Sequence, residues 1–124
     1  MLKVDVSPGK GRGVFATVPI KEGTQFERCP IILIPKEEIV HIRRTVLGNY
    51  YFKWGGTRKE AAIALGYGSL YNHSYRPNAR FDLADEEGEI VFTALREIAA
   101  GEEITVNYNG DPDDMSRLWF ETLS

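Results

Sequence analysis

Residues 66–78 read Gly66-Tyr67-Gly68-Ser69-Leu70-Tyr71-Asn72-His73-Ser74-Tyr75-Arg76-Pro77-Asn78, and they constrain this chain more than any other stretch. Two glycines bracket a tyrosine, an Asn-His-Ser triplet follows a second aromatic position, and a Pro-Asn pair closes the run. An ordinary surface loop rarely interleaves Tyr, Asn and His so densely. A second polar cluster, Gly101-Glu102-Glu103-Ile104-Thr105-Val106-Asn107-Tyr108, comes late in the chain. The functional question is whether these two stretches fold onto each other.

With 124 residues, 43% of them apolar, the chain is expected to be one domain over 1–124 with a core of limited size. No stretch approaches eighteen apolar residues, and Met1-Leu2-Lys3-Val4-Asp5 carries no apolar targeting segment, so neither a membrane span nor a signal peptide is expected. The single cysteine, Cys29, excludes an intrachain disulfide framework and a cysteine-built zinc site. Beside Pro30 and Ile31-Ile32-Leu33-Ile34 it reads as a buried strand cysteine in an intracellular, reducing compartment. Charge is uneven: residues 1–60 hold eleven Lys/Arg against six Asp/Glu, and residues 61–124 hold four against twelve. The net charge of −3, with no basic helix in view, argues against direct sequence-specific nucleic-acid binding. The acidic half suits a cationic partner.

Residues 3–6 are expected to form a short strand. Ser7-Pro8-Gly9-Lys10-Gly11-Arg12-Gly13 follows as a glycine turn or a backbone cradle for a ligand. It lacks the spacing of a dinucleotide fingerprint and the Lys-Ser/Thr ending of a phosphate loop. Val14 to Val18, Gln25 to Glu27 and Pro30 to Ile34 read as β segments. Ile39, Ile42 and Val46 repeat at helical spacing within residues 36–47. Asn49 to Trp54 reads as a strand or a pocket wall. Thr57-Arg58-Lys59-Glu60 has capping-box spacing, and Ala61, Ala62 and Ala64 behind it predict a short helix ending at Gly66. Ala79 to Leu83 and Glu89 to Leu95 predict a hairpin across the acidic turn 85–88. Ile104 to Tyr108 predicts a strand with Tyr108 on the inner side, with Ile104 and Val106. Asp111-Pro112 predicts a last helix start.

Common catalytic templates do not fit. The two histidines, His41 and His73, are not spaced as metal ligands, so no metal is expected. No nucleophile elbow is present, and Cys29 has no activating neighbour in sequence. Glu102 and Glu103 are neighbours, which on a strand point opposite ways, so they cannot flank a sugar bond. What remains is glycines near the amino end, an Asn-His pair in the middle and a late tyrosine. That set suits chemistry carried by positioning and dipoles.

Three segments resemble the signature motifs of the SET-domain protein lysine methyltransferases, in family order. They are Gly11-Arg12-Gly13-Val14-Phe15-Ala16, then Leu70-Tyr71-Asn72-His73-Ser74 through Pro77-Asn78, then Gly101-Glu102-Glu103-Ile104-Thr105 through Tyr108. At this length the chain also resembles the minimal, free-standing viral type. The resemblance implies a β-rich SET domain of several small sheets of short strands with short helices. It also implies a knot-like threading of the C-terminal segment, an exception to the usual topology rule. It implies S-adenosyl-L-methionine as cofactor, held by Arg12, Gly13, Val14, Asn72 and His73, with Trp119 closing over it. Tyr108 would be the catalytic tyrosine, and Tyr50, Tyr67, Phe81 and Val106 would line a channel for the substrate lysine.

Those residue types agree with the chemistry. A lysine amine with an ordinary pKa near about 10.4 must be neutral to attack, and a desolvating aromatic channel lowers that pKa. Val106 stands where the family carries a Phe/Tyr switch; valine offers no hydroxyl to anchor a water beside the amine, which suggests room for further methyl groups. Asn107 replaces a frequent aspartate, and with Cys29 the single cysteine no zinc-binding segment is expected after the domain. The aromatic tail or a second subunit would then complete the pocket, so a homodimer is expected. The substrate would be a basic protein or peptide such as a histone tail. A SET-like module that binds cofactor or peptide without chemistry is the alternative.

Overall fold

The glycine turn closes a hairpin. β1 (Leu2–Ser7) pairs antiparallel with β2 (Gly11–Ala16), in register from Leu2↔Ala16 to Ser7↔Gly11. Gly9 and Gly11 take φ values of 77° and 81°, which side chains disfavour. The computed structural model describes residues 1–118.

β3 (Gln25–Ile34) is one ten-residue strand where the sequence suggested two segments divided by Pro30. It pairs with β8 (Glu89–Ala94) through Pro30 and with β5 (Glu60–Ala64) from Ile31 onward. The proline thus sits at the changeover between two ladders, where its missing N–H is tolerated, and its carbonyl accepts from the Leu65 amide at 2.9 Å. With the edge strands β4 (Phe52–Trp54) and β7 (Ala79–Ala84) the sheet runs β4-β5-β3-β8-β7. The β7–β8 hairpin is the one the sequence predicts.

The second sheet runs β1-β2-β9-β6, with β6 (Asn72–His73) and β9 (Glu103–Val106). β6 and β9 pair in parallel, Asn72 opposite Thr105 and His73 opposite Val106. The two polar stretches therefore meet side by side. One core cluster spans both sheets, with Val14, Ile20, Tyr71, Phe92, Ile98 and Ile104 among its largest buried members.

Three local expectations are corrected. The alanine-rich segment is strand β5, not a helix. Ala61, Ala62 and Ala64 are buried, and Gly68 and Cys29 close over Ala64, so packing selects small side chains here and overrides alanine's helical preference. Residues 36–49 break into a 3₁₀ turn at Lys36–Glu38, α1 (Ile39–Ile42) and a second 3₁₀ turn at Val46–Asn49. The Thr45 hydroxyl causes that break, donating back to the Ile42 carbonyl at 2.8 Å and accepting from the Leu47 amide at 3.2 Å. No helix starts at Asp111-Pro112 within the described residues. The carboxylates of Asp111 and Asp114 instead accept from the amides of Asp113 and Ser116, at 2.9 and 2.8 Å. These turns compete with a helix.

Candidate active site

One polar cluster staples the three motif segments together. The Asn72 amide nitrogen donates to the Arg12 carbonyl at 2.8 Å and to Glu103 Oε2 at 2.7 Å. Glu103 Oε1 accepts from the Ser7 hydroxyl at 2.8 Å. A Cβ at Gly13 would lie 2.3 Å from Glu103 Oε2 and 2.8 Å from Asn72 Nδ2, so only glycine permits this approach. Glu102, by contrast, faces the other way and pairs with Arg96. Its carboxyl is held down at about 2, first by the Arg96 hydrogen bond. The neighbours diverge as the sequence argument expects.

Asn78, buried at 3% exposure, fixes β9 from the far side. Its side chain donates to the Glu103 carbonyl at 2.7 Å and accepts from the Thr105 amide at 2.9 Å. The strand then ends at Val106. Asn107 turns inward, donating to the Asp114 carbonyl at 2.6 Å and accepting from the Asn109 amide at 3.0 Å. That bend corrects the expected orientation of Tyr108, a residue 45% exposed rather than buried like Ile104 and Val106.

Tyr108 is nevertheless held at both ends. Its backbone N–H donates to His73 Nδ1 at 3.0 Å, so that nitrogen carries no proton. Its hydroxyl donates to the Tyr71 carbonyl at 2.7 Å. The ring is open on one side while the hydroxyl end is enclosed. Burial, then the proximity of Tyr50 and Glu103, push the phenol up to about 12. His73 packs edge-on against Tyr75, with centroids 4.4 Å apart, and its carbonyl accepts from Lys10 Nζ at 3.2 Å.

A groove of about 670 Å³ opens on the exposed side of Tyr108. Tyr50, Phe81 and Val106 line it with Tyr108, and Tyr71 and Leu118 also contribute. Tyr67 is not in that lining; its amide donates to Glu27 Oε2 at 2.9 Å beneath it. Arg12, Gly13, Val14, Asn72 and His73 gather along β2 and β6 instead, outside the groove's lining. Trp119 lies outside the described residues. Tyr108 therefore stands between an oxygen-rich strand edge and an aromatic groove.

Glu27 is a residue that sequence reasoning passed over. Its Oε1 accepts from the Tyr71 hydroxyl at 2.5 Å, fixing the tyrosine whose carbonyl receives Tyr108. Burial and this bond lift the Tyr71 phenol well above its ordinary range. The available signal was a lone carboxylate on an apolar strand. Burial, then Glu27, also raise the Cys29 thiol to about 12, which removes it as a nucleophile at neutral pH. Among the described residues no cluster of His, Cys, Asp and Glu is arranged to hold a metal, and no helix is long and apolar enough to cross a membrane.

The SET domain family model matches residues 11–109. The chain belongs to the SET-domain family. This SET domain is 37% identical over 121 residues to a histone-lysine N-methyltransferase, H3 lysine-37 specific, of Schizosaccharomyces pombe; the match covers 97% of the chain and 77% of the yeast protein. A Plasmodium falciparum protein assigned as a histone methyltransferase superposes with a TM-score of 0.71 at 28% identity, covering 90% of this chain and 99% of that one. A SET protein from Cryptosporidium gives a TM-score of 0.70 at 26% identity, over 89% of this chain and 57% of its own. These relatives do not single out the viral type. The family is one of protein-lysine methyltransferases, and this SET domain is a methyltransferase of that kind.

Proposed function

We propose that this SET domain transfers a methyl group from S-adenosyl-L-methionine to the side-chain amine of a lysine in a basic protein segment, with a histone tail the first substrate to test. The observation that carries this reading is the parallel pairing of Asn72–His73 with Thr105–Val106, which puts Tyr108 between the polar strand edge and the aromatic groove. The specificity of the yeast relative for histone H3 supports the substrate class.

The polar edge fits the cofactor by its donor set. The Arg12 carbonyl and the Glu103 carboxylate are acceptors suited to a ligand with ammonium and sulfonium charge, and the Asn72 amide complements a carboxylate or hydroxyl. Arg12, Gly13, Val14, Asn72 and His73, with Trp119 beyond the described residues, are the residues proposed to hold it. When bound, S-adenosyl-L-methionine supplies an electrophilic methyl that needs no protein nucleophile.

The chain's own groups then position and desolvate. Tyr50 and Phe81 wall the groove and exclude water from an entering lysine, which favours its neutral form. The Tyr108 hydroxyl, protonated at neutral pH and anchored on the Tyr71 carbonyl, orients the reacting end of the groove. Val106 adds no hydroxyl there, which favours transfer of more than one methyl. Two finer features belong to the same reading. One is a knot-like passage of the segment after Tyr108, supported by Tyr75 Oη and Asn109 Nδ2 both donating to the Ser116 carbonyl, at 3.0 and 2.8 Å. The other is a homodimer, supported by exposed Ile32, Val40 and Val46.

The test is mass spectrometry of histone H3 and other basic proteins incubated with the cofactor and either wild-type protein or Tyr108→Phe. Lysine methylation lowered about 10²-fold or more in the variant is the expected result, the scale of losing one preorganised donor. Cofactor binding in calorimetry without transfer to any substrate would favour the binding-module alternative. Neither binding nor transfer would overturn the reading.

A further inference from the structure

A second groove, of about 340 Å³, is lined by five cationic side chains. Lys36, Arg43, Lys53, Arg58 and Lys59 line it around the ring of Tyr51. They come from the 3₁₀ turn after β3, the end of α1, the edge strand β4 and the turn into β5. Spread over residues 36–59, with Glu37 and Glu38 following Lys36 and only Arg58 and Lys59 adjacent, they form no long basic run in the sequence. All five side chains are exposed. Among the described residues only Arg58 of the five reaches an acid, Asp85 at 3.8 Å, and both partners are close to half exposed. Glu60 also borders the groove but makes no ion pair there among the described residues. Arg43 Nε donates to the Tyr51 hydroxyl at 3.3 Å, which orients the ring at the groove's centre.

The chain has twelve acids after residue 60, yet among the described residues only Asp85 forms an ion pair with these cations. Clustered like charges repel, so the arrangement favours a ligand that neutralises them together. A nucleic-acid duplex carries one negative charge per about 1.7 Å of its axis. An extended acidic peptide offers at most one per about 3.3 Å, on alternating sides. We propose that this groove binds the phosphodiester backbone of a nucleic acid without reading its sequence. Tyr51, Lys53 and Arg58 line both grooves, so the bound backbone passes beside the groove assigned to the lysine substrate. A basic protein and the nucleic acid it covers would then meet the enzyme on one face. That last consequence rests on the methyl-transfer reading; the binding itself does not.

The test is fluorescence anisotropy of the full chain with labelled DNA and RNA duplexes of equal length, without cofactor or peptide, over a salt series. A log–log salt slope of about −3 to −5 is expected, near −0.9 per phosphate neutralised. Lys36→Glu with Lys59→Glu, both outside the lysine groove, should weaken binding about 10-fold or more and leave methyl transfer to a free peptide unchanged. The milder Lys36→Gln/Lys59→Gln pair should give a smaller loss in the same direction, and Lys3→Glu with Lys21→Glu should have little effect. Equal binding of both duplexes would support recognition of the shared backbone, and a preference would name its source. No binding at low salt, equal loss from the Lys3/Lys21 reversal, or displacement of the duplex by polyglutamate at matched charge would each overturn the proposal. Because the readout needs no turnover, it can fail while methyl transfer stands, or hold while methyl transfer fails.

Discussion

His73 Nδ1 is the acceptor that sets the backbone of Tyr108, and a protonated or absent imidazole forfeits it. Replacing His73 by Ala leaves that amide unanchored at the point where the chain leaves β9. Misplacing a reacting group by even about 1 Å can cost 10²-fold, so His73→Ala should lower kcat at least about 10-fold. Asparagine can offer its Oδ1 at nearly the place of Nδ1. His73→Asn should therefore recover most of the lost kcat, with the KM for peptide little changed in either variant. Equal kcat loss in both variants would mean that the ring's packing against Tyr75, rather than its acceptor, is what matters. The sequence singled out His73 only through the resemblance of its motif; its hold on Tyr108 was not legible. That bond depends on the chain bending at Asn107, whose inward turn no strand periodicity signals.

At the scale of elements, β2 lies against Asn72 and Glu103 through a gap that only Gly13 leaves. Gly13→Ala puts a methyl 2.3 Å from the Glu103 carboxylate, so β2 must shift or the Asn72–Glu103 pair must part. A loss of about 1–3 kcal/mol is expected from such overpacking, measured by denaturant unfolding, with weaker cofactor binding in calorimetry. An unchanged midpoint would show that the carboxylate simply swings away. The turn before β2, much of β2 and β9 were legible because glycine turns and alternating strands are local signals, whereas the two-residue β6 carries no such signal and was not legible. β5 was not legible either, because Ala61, Ala62 and Ala64 are buried and small for a tertiary reason, with Gly68 packed against Ala64 and Cys29. Alanine's intrinsic preference points to a helix, and only the neighbouring strands reverse it. The basic groove escaped for a related reason, since its cations converge from four separate elements.

Across the whole molecule, Lys and Arg concentrate in residues 1–60 and Asp and Glu in residues 61–124, and one junction is sensitive to acid. Glu102 joins the turn after β8 to the start of β9 through Arg96, the Ala99 amide and Asn78. Its carboxyl sits at about 2, against an ordinary 4.5. A carboxylate depressed on folding stabilises the fold above its unfolded pKa and loses that contribution as pH falls toward the folded one. Thermal stability of the wild type should therefore fall between pH 4.5 and about 2 more steeply than that of Glu102→Gln, followed by circular dichroism. Parallel slopes would show that the Arg96 pair is screened by solvent. The parallel seam between β6 and β9 has a different kind of consequence, one of timing. Parallel neighbours cannot be joined by a tight turn, and here more than thirty residues of hairpin and loop separate Asn72 from Thr105. The long loop must close before the seam gains anything, which makes its formation a late and slow event in folding. During synthesis the polar edge and the aromatic groove would stay unassembled until β9 is released, so a nascent chain lacking β9 should lack methyl transfer.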